Sequence, residues 1–91
     1  MKHIESYVDS SIELPQNLPV NILAILEMLE ETDKKSSAPI LYFDRLDDLW
    51  VIAKNSMADN FLSKENWNII VKKYWIHANA IWEKEKENGY F

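Results

Sequence analysis

The stretch Ser63–Gly89, SKENWNIIVKKYWIHANAIWEKEKENG, decides the reading of this chain. Trp67, Ile70, Val71, Tyr74, Ala78 and Ile81 recur at steps of three and four, so they share one stripe of an α-helix, with Trp75 and Trp82 along its edge. Ser63 stands just before the first periodic residue. Its hydroxyl can accept a bond from an amide one turn in, and Glu65 suits the positive end of the helix dipole. Gly89 follows the last helical pattern as a left-handed cap, leaving Tyr90 and Phe91 to fold back on the final turn. About 25 residues at about 1.5 Å each make a rod of roughly 37 Å, long enough for the other segments to lie across it.

Working outward, Phe61 and Leu62 precede the Ser63 cap, where an apolar residue can staple the entering chain to the helix. Before them Asp44 reads as an N-cap with Asp47 and Asp48 in or near the first turn, and Leu46, Leu49, Trp50, Ala53 and Met57 form the stripe of a middle helix over 44–59. Ile40–Phe43 is an apolar run too short to classify, expected to plug the core, and 34–39 is a polar connector. Pro15 and Pro19 bracket a turn. With Asn17 or Leu18 as the cap, a first helix runs over 19–34; Ile22, Leu23, Ile25, Leu26, Met28 and Leu29 wrap most of its circumference, which implies burial on several sides. In residues 1–14, Ile4, Tyr7, Val8 and Ile12 fit a helical face, while strict alternation from Ile4 to Leu14 fits a strand equally well; a short helix over Ile4–Ser11 is the expectation. The fold class is therefore all-α, a small bundle of three main helices (19–34, 44–59 and 63–88) with a short N-terminal helix, in a single domain over residues 1–91.

Composition narrows the setting. The chain of 91 residues is 47% hydrophobic and carries eleven aromatics, four of them Trp, which suffices for one core without a covalent staple. Absence of Cys excludes disulfides and thiolate metal sites and favours a reducing, cytoplasmic setting. No apolar run approaches the roughly 20 residues of a membrane span, and the start lacks the pattern of a signal peptide. The net charge of −5 is unevenly spread: residues 1–60 hold eleven acids against five bases, residues 61–91 four against five. That balance argues against binding phosphate backbones and suits a basic protein partner.

Few residues suggest catalysis. Glu27, Glu30 and Glu31, then Asp44, Asp47 and Asp48, place acids at i and i+3 on two helices, a spacing able to share a divalent cation held by oxygen. These six residues resemble the paired acidic motifs of the all-α MazG-type nucleotide pyrophosphohydrolases. The resemblance implies Mg²⁺-dependent hydrolysis of nucleoside triphosphates through Glu27, Glu30, Glu31, Asp44 and Asp47. It extends no further along the chain, and a solvated acidic face plus a capped helix start accounts for the same residues. His3 and His77 lack a second histidine or a carboxylate at helical spacing, Ser36 and Ser37 lack an elbow motif, and no glycine loop can cradle phosphate. Lys72 and Lys73 diverge by about 100° around the helix and, with Lys54 and Lys64, read as a solvated face.

The expectation is accordingly a small acidic helical protein that is not an enzyme. It docks on a protein partner in the manner of an inhibitor, immunity protein, antitoxin or phage-encoded regulator, and uses no cofactor, metal, nucleic acid or membrane. The Mg²⁺ hydrolase and a structural subunit of a larger assembly are the alternatives. Candidate contacts are the acids Glu27, Glu30, Glu31, Asp44, Asp47 and Asp48, and the apolar Ile69, Ile76 and Trp82. Ile69, Ile76 and Ala80 lie about opposite the main stripe, so either the N-terminal segment covers them, the favoured case, or another chain does, including a second copy.

Overall fold

Why the first helix begins where it does follows from the residues before it. A computed structural model describes residues 6–34 and 39–87. Asn17 takes a left-handed backbone (φ 63°), which Asn tolerates better than most residues. The Pro19 carbonyl then accepts the first helical bond, from the Leu23 amide at 3.0 Å. Pro19 is thus the cap of helix α1 (Val20–Lys34), in place of the expected Asn17 or Leu18. One face of α1 enters the core, through Ile22, Ile25, Leu26 and Leu29. Val20, Leu23 and Met28 point outward, so α1 is an amphipathic surface helix rather than one buried on several sides.

Helix α2 spans Pro39–Ala58, and its start corrects the sequence reading. Asp44 is no cap: the helix begins a full turn earlier, at a proline whose fixed φ suits the first helical position. Ile40–Phe43 are therefore helical, and Tyr42 extends the buried row Leu46, Leu49 and Ala53 by one turn. Its far end closes with the Phe61 amide on the Ser56 carbonyl (2.8 Å) and the Asn60 amide on that of Met57 (3.1 Å), Asn60 being left-handed at φ 64°. This is a Schellman cap with Asn where Gly is usual.

The long rod starts as expected. Ser63 has extended backbone and its hydroxyl accepts from the Asn66 amide (3.1 Å), with Glu65 in the first turn. The rod comprises α3 (Lys64–Ile70), a π-helical segment (Val71–Ile76) and α4 (His77–Glu87), joined end to end. Trp67, Ile70, Tyr74, Ala78 and Ile81 are buried and Val71 half-buried, which reproduces the expected stripe. Trp50 meets Trp67 near the start of the rod (centroids 5.8 Å apart) and Phe43 meets Trp82 near its end (5.4 Å), so the rod runs antiparallel to α2. Together the helices form an all-α bundle measuring 42 × 20 × 17 Å, with no strand among the described residues.

Residues 6–18 are irregular rather than helical, and local chemistry explains why. The Asp9 carboxylate accepts from both the amide (3.0 Å) and the hydroxyl (2.6 Å) of Ser11, and the Ile12 amide bonds the Asp9 carbonyl (3.2 Å). Side chains of this kind offer the backbone a turn in place of a helix. The segment still enters the core through Tyr7 and Val8. Ile4, the connector at 35–38 and the Gly89 cap with Tyr90 and Phe91 lie outside the described residues.

Candidate functional site

Two groupings of polar side chains stand out, one buried and one exposed. The buried grouping surrounds the π-helical segment. A widened turn redirects backbone carbonyls away from the regular helical ladder, and such turns often mark places where a helix does something besides pack. Here the Lys73 carbonyl accepts the Asp9 amide (2.9 Å) and the Tyr74 carbonyl accepts the Tyr42 hydroxyl (2.7 Å). The Lys73 ammonium, on a buried side chain, donates to the carbonyls of Asp9 (2.9 Å) and Ile12 (2.7 Å), clamping the N-terminal strap onto the rod. At the strap's other end, Asp33 of α1 accepts from the Tyr7 amide (2.8 Å) and the Ser6 hydroxyl.

Three tyrosines fill the space between. Tyr7 donates to Glu85 (2.7 Å), Tyr74 to Glu30 (2.5 Å), and the Tyr7 and Tyr42 rings lie 5.1 Å apart. Burial pushes all three phenols well above their usual range; bonding to Glu85 adds to this for Tyr7 and bonding to Glu30 for Tyr74. The Ser11 hydroxyl and amide hold the Asp9 carboxyl below the usual carboxylate range. Glu85 is buried, and its second oxygen has no hydrogen-bond partner among the described residues. Every other member of this network is engaged in holding the strap or the helices together, which makes it an internal lock. Sequence reasoning missed it because Tyr7 and Glu85 are 78 residues apart and carry no motif.

The exposed grouping contains most of the candidate contacts. Asp44, Asp47 and Asp48 are exposed on the outer row of α2, opposite its buried row, flanked by Ile40 and Val51. Glu27 and Glu31 are exposed on the outer row of α1 beside Val20 and Met28. Glu30 is separated from them, turned inward onto Tyr74. Among the described residues no three His, Asp or Glu side chains come together as a metal site would require. His77 is an edge residue with Nδ1 4.0 Å from the Asp9 carboxylate.

Ile69 is half-buried, whereas Ile76 is 57% exposed and Ala80 exposed. The strap covers Lys73 and Glu85 instead, so the favoured expectation of an N-terminal cover over the strip Ile69, Ile76 and Ala80 is corrected. The reason is chemical: the strap is fixed by the hydrogen-bonding groups Asp33 and Lys73. Trp82 is half-buried against Phe43, with the Lys86 ammonium 5.9 Å from its ring centroid and Lys86 itself paired to Glu83 (3.2 Å). Ile40, Phe43, Asp44, Asn79, Trp82 and Glu83 line an open groove of about 410 Å³ between α2 and α4. No helix among the described residues is long and apolar enough to cross a membrane. No protein-family model matches the chain, and neither a curated protein nor a solved structure similar to it was found.

Proposed function

We propose that this chain is a small acidic docking protein, of the inhibitor or regulator kind, that acts by binding another protein through the outer face of α2. The observation that carries the reading is the row Ile40, Asp44, Asp47, Asp48 and Val51, in which three exposed acids lie between exposed apolar side chains on the side of the helix away from the core. Isolated exposed apolar residues are ordinary; a run of acids of one sign flanked by exposed apolar residues suits a complementary surface. An exposed aromatic adds support, since Trp50 remains 41% exposed beside the buried Trp67. The hydrolase alternative loses support from Glu30, whose carboxylate is occupied by Tyr74.

The test is capture of partners from the native host with the wild-type chain and with an Asp47→Lys/Asp48→Lys/Val51→Ser variant, followed by association kinetics with the purified partner. The expected partner binds the wild-type chain with a rate that falls steeply as salt rises, and binds the variant at least tenfold more weakly. A partner indifferent to both salt and the variant, or no partner at all, refutes the proposal.

A further inference from the structure

We infer that the groove between α2 and α4 is the seat of the docking reaction, and that its occupant is a basic amphipathic segment of the partner: an apolar side chain set against Ile40, Phe43 and Trp82, with Lys or Arg facing Asp44 and the acids one turn along. This rests on the docking reading above and assigns it a place and a ligand chemistry. The volume of about 410 Å³ falls in the range of sites that enclose a small ligand or a few side chains. Its floor is firm, because Phe43 and Trp82 pack edge to face at 72° and Phe43 is braced in turn by Tyr7 and Tyr42. Ile40, 67% exposed, stands at the lip. Such a concavity accepts a side chain without rearranging the core.

Charge selects among occupants. Asp44 stands on one wall, Glu83 on the other is already paired with Lys86, and Asp47 and Asp48 continue the acidic track from Asp44 along the outer row of α2. The molecule itself displays the contact it offers: Lys86 is held by Glu83 with its ammonium over the Trp82 ring. That is a cation near an aromatic ring beside a carboxylate, which shows the kind of basic group this wall of the groove holds. Nucleic acid and anionic membrane surfaces are repelled by this rim. A second copy meeting the same surface about a two-fold axis would set Asp44, Asp47 and Asp48 against themselves, in a chain already at −5. An amphipathic helix laid along α2 presents apolar anchors and basic residues at the required spacing.

The probe is a 16-residue peptide of Leu and Lys with Leu at i, i+3, i+4 and i+7, tested beside one with Ser for Leu and one with Glu for Lys. Titrations into the full chain are followed by amide chemical shifts. The Leu/Lys peptide is expected to bind saturably, with the largest shifts at Ile40, Phe43, Asp44, Asn79, Trp82 and Glu83. Binding should weaken at least tenfold in Ile40→Asp and in Asp44→Lys, two exposed positions whose substitution is expected to leave the melting temperature unchanged. Equal binding of the Ser peptide (charge alone) or of the Glu peptide (apolar contact alone) overturns the inference. So do shifts centred elsewhere, the absence of binding, and self-association abolished by Ile40→Asp in sedimentation. The two readings fail separately: a host partner that binds through Asp47, Asp48 and Val51 but ignores Ile40→Asp and Asp44→Lys sinks the groove and leaves docking intact. A groove that takes the peptide while no host protein is captured leaves the groove's chemistry standing and sinks the docking function.

Discussion

Raising the pH through 10 should unfold the protein before its buried tyrosines ionise. Tyr7, Tyr42 and Tyr74 are at most 1% exposed, and burial, aided by the neighbouring Glu85 and Glu30, holds each phenol protonated well beyond the usual value near 10. A folded-state pKa above the unfolded one stabilises the protein fully below the unfolded value, and that stabilisation drains away as pH climbs past it. Above about pH 10.5 the unfolded chain has released three protons that the folded chain retains. Each released proton costs about 1.4 kcal/mol of stability per pH unit, so the three together cost about 4 kcal/mol per unit. A domain of this size has about 5–14 kcal/mol to lose, which places cooperative alkaline unfolding near about pH 12. The assay pairs tyrosinate absorbance near 295 nm with far-ultraviolet circular dichroism across a pH titration, and adds urea midpoints at fixed pH from 8 to 11. The absorbance of three of the four tyrosines should rise together with helix loss, and Tyr42→Phe should reduce the slope of stability against pH by about one proton. Three phenolates appearing near pH 10 with the helical signal intact would refute the reasoning.

Other substitutions probe the lock and the surface. Tyr7→Phe leaves a buried Glu85 with neither oxygen bonded among the described residues, at a cost of about 2–3 kcal/mol by urea denaturation; adding Glu85→Met should recover most of that, and a double variant no more stable than the single one would contradict the account. Lys73→Met removes both bonds to the strap carbonyls, so hydrogen exchange at the Asp9 and Ile12 amides should accelerate at least tenfold while the rod's central amides change little; unaltered exchange would show that the clamp is dispensable. Because Ile76 faces solvent, Ile76→Glu should shift stability by no more than about 0.5 kcal/mol, and a loss of several kcal/mol would mean that the position is covered. Mg²⁺ or Mn²⁺ in millimolar excess should leave the melting temperature where it is; a rise would revive the hydrolase alternative.

Local signals carried the reading a long way. The Ser63 cap, the stripe from Trp67 to Ile81 and the helical class are consequences of neighbouring residues: a hydroxyl three positions before an amide, apolar side chains every three or four. The start of α2 is present in the sequence too, in Pro39 at a first helical position and Tyr42 one turn before Leu46, but Asp44 is a competing cap followed by acids that suit a first turn. For the N-terminal segment the apolar periodicity was real, yet Asp9 and Ser11 bond each other and turn the chain.

What the sequence by itself determined, then, is part of what depends on interactions within about one helical turn: helix class, the Ser63 cap, the buried stripe of the rod, the acidity of the outer faces. Only the tertiary structure decided the rest. That Glu30 faces Tyr74 while Glu27 and Glu31 face solvent, that Lys73 is a buried clamp rather than a surface base, that the rod widens into a π-turn where Asp9 and Tyr42 meet it, and that Asp44 and Trp82 share one groove are all outcomes of which helix lies against which. Such contacts join residues tens of positions apart. Their energies depend on burial and on geometry that no local spacing encodes, because a side chain's partner is set by the packing of the whole core.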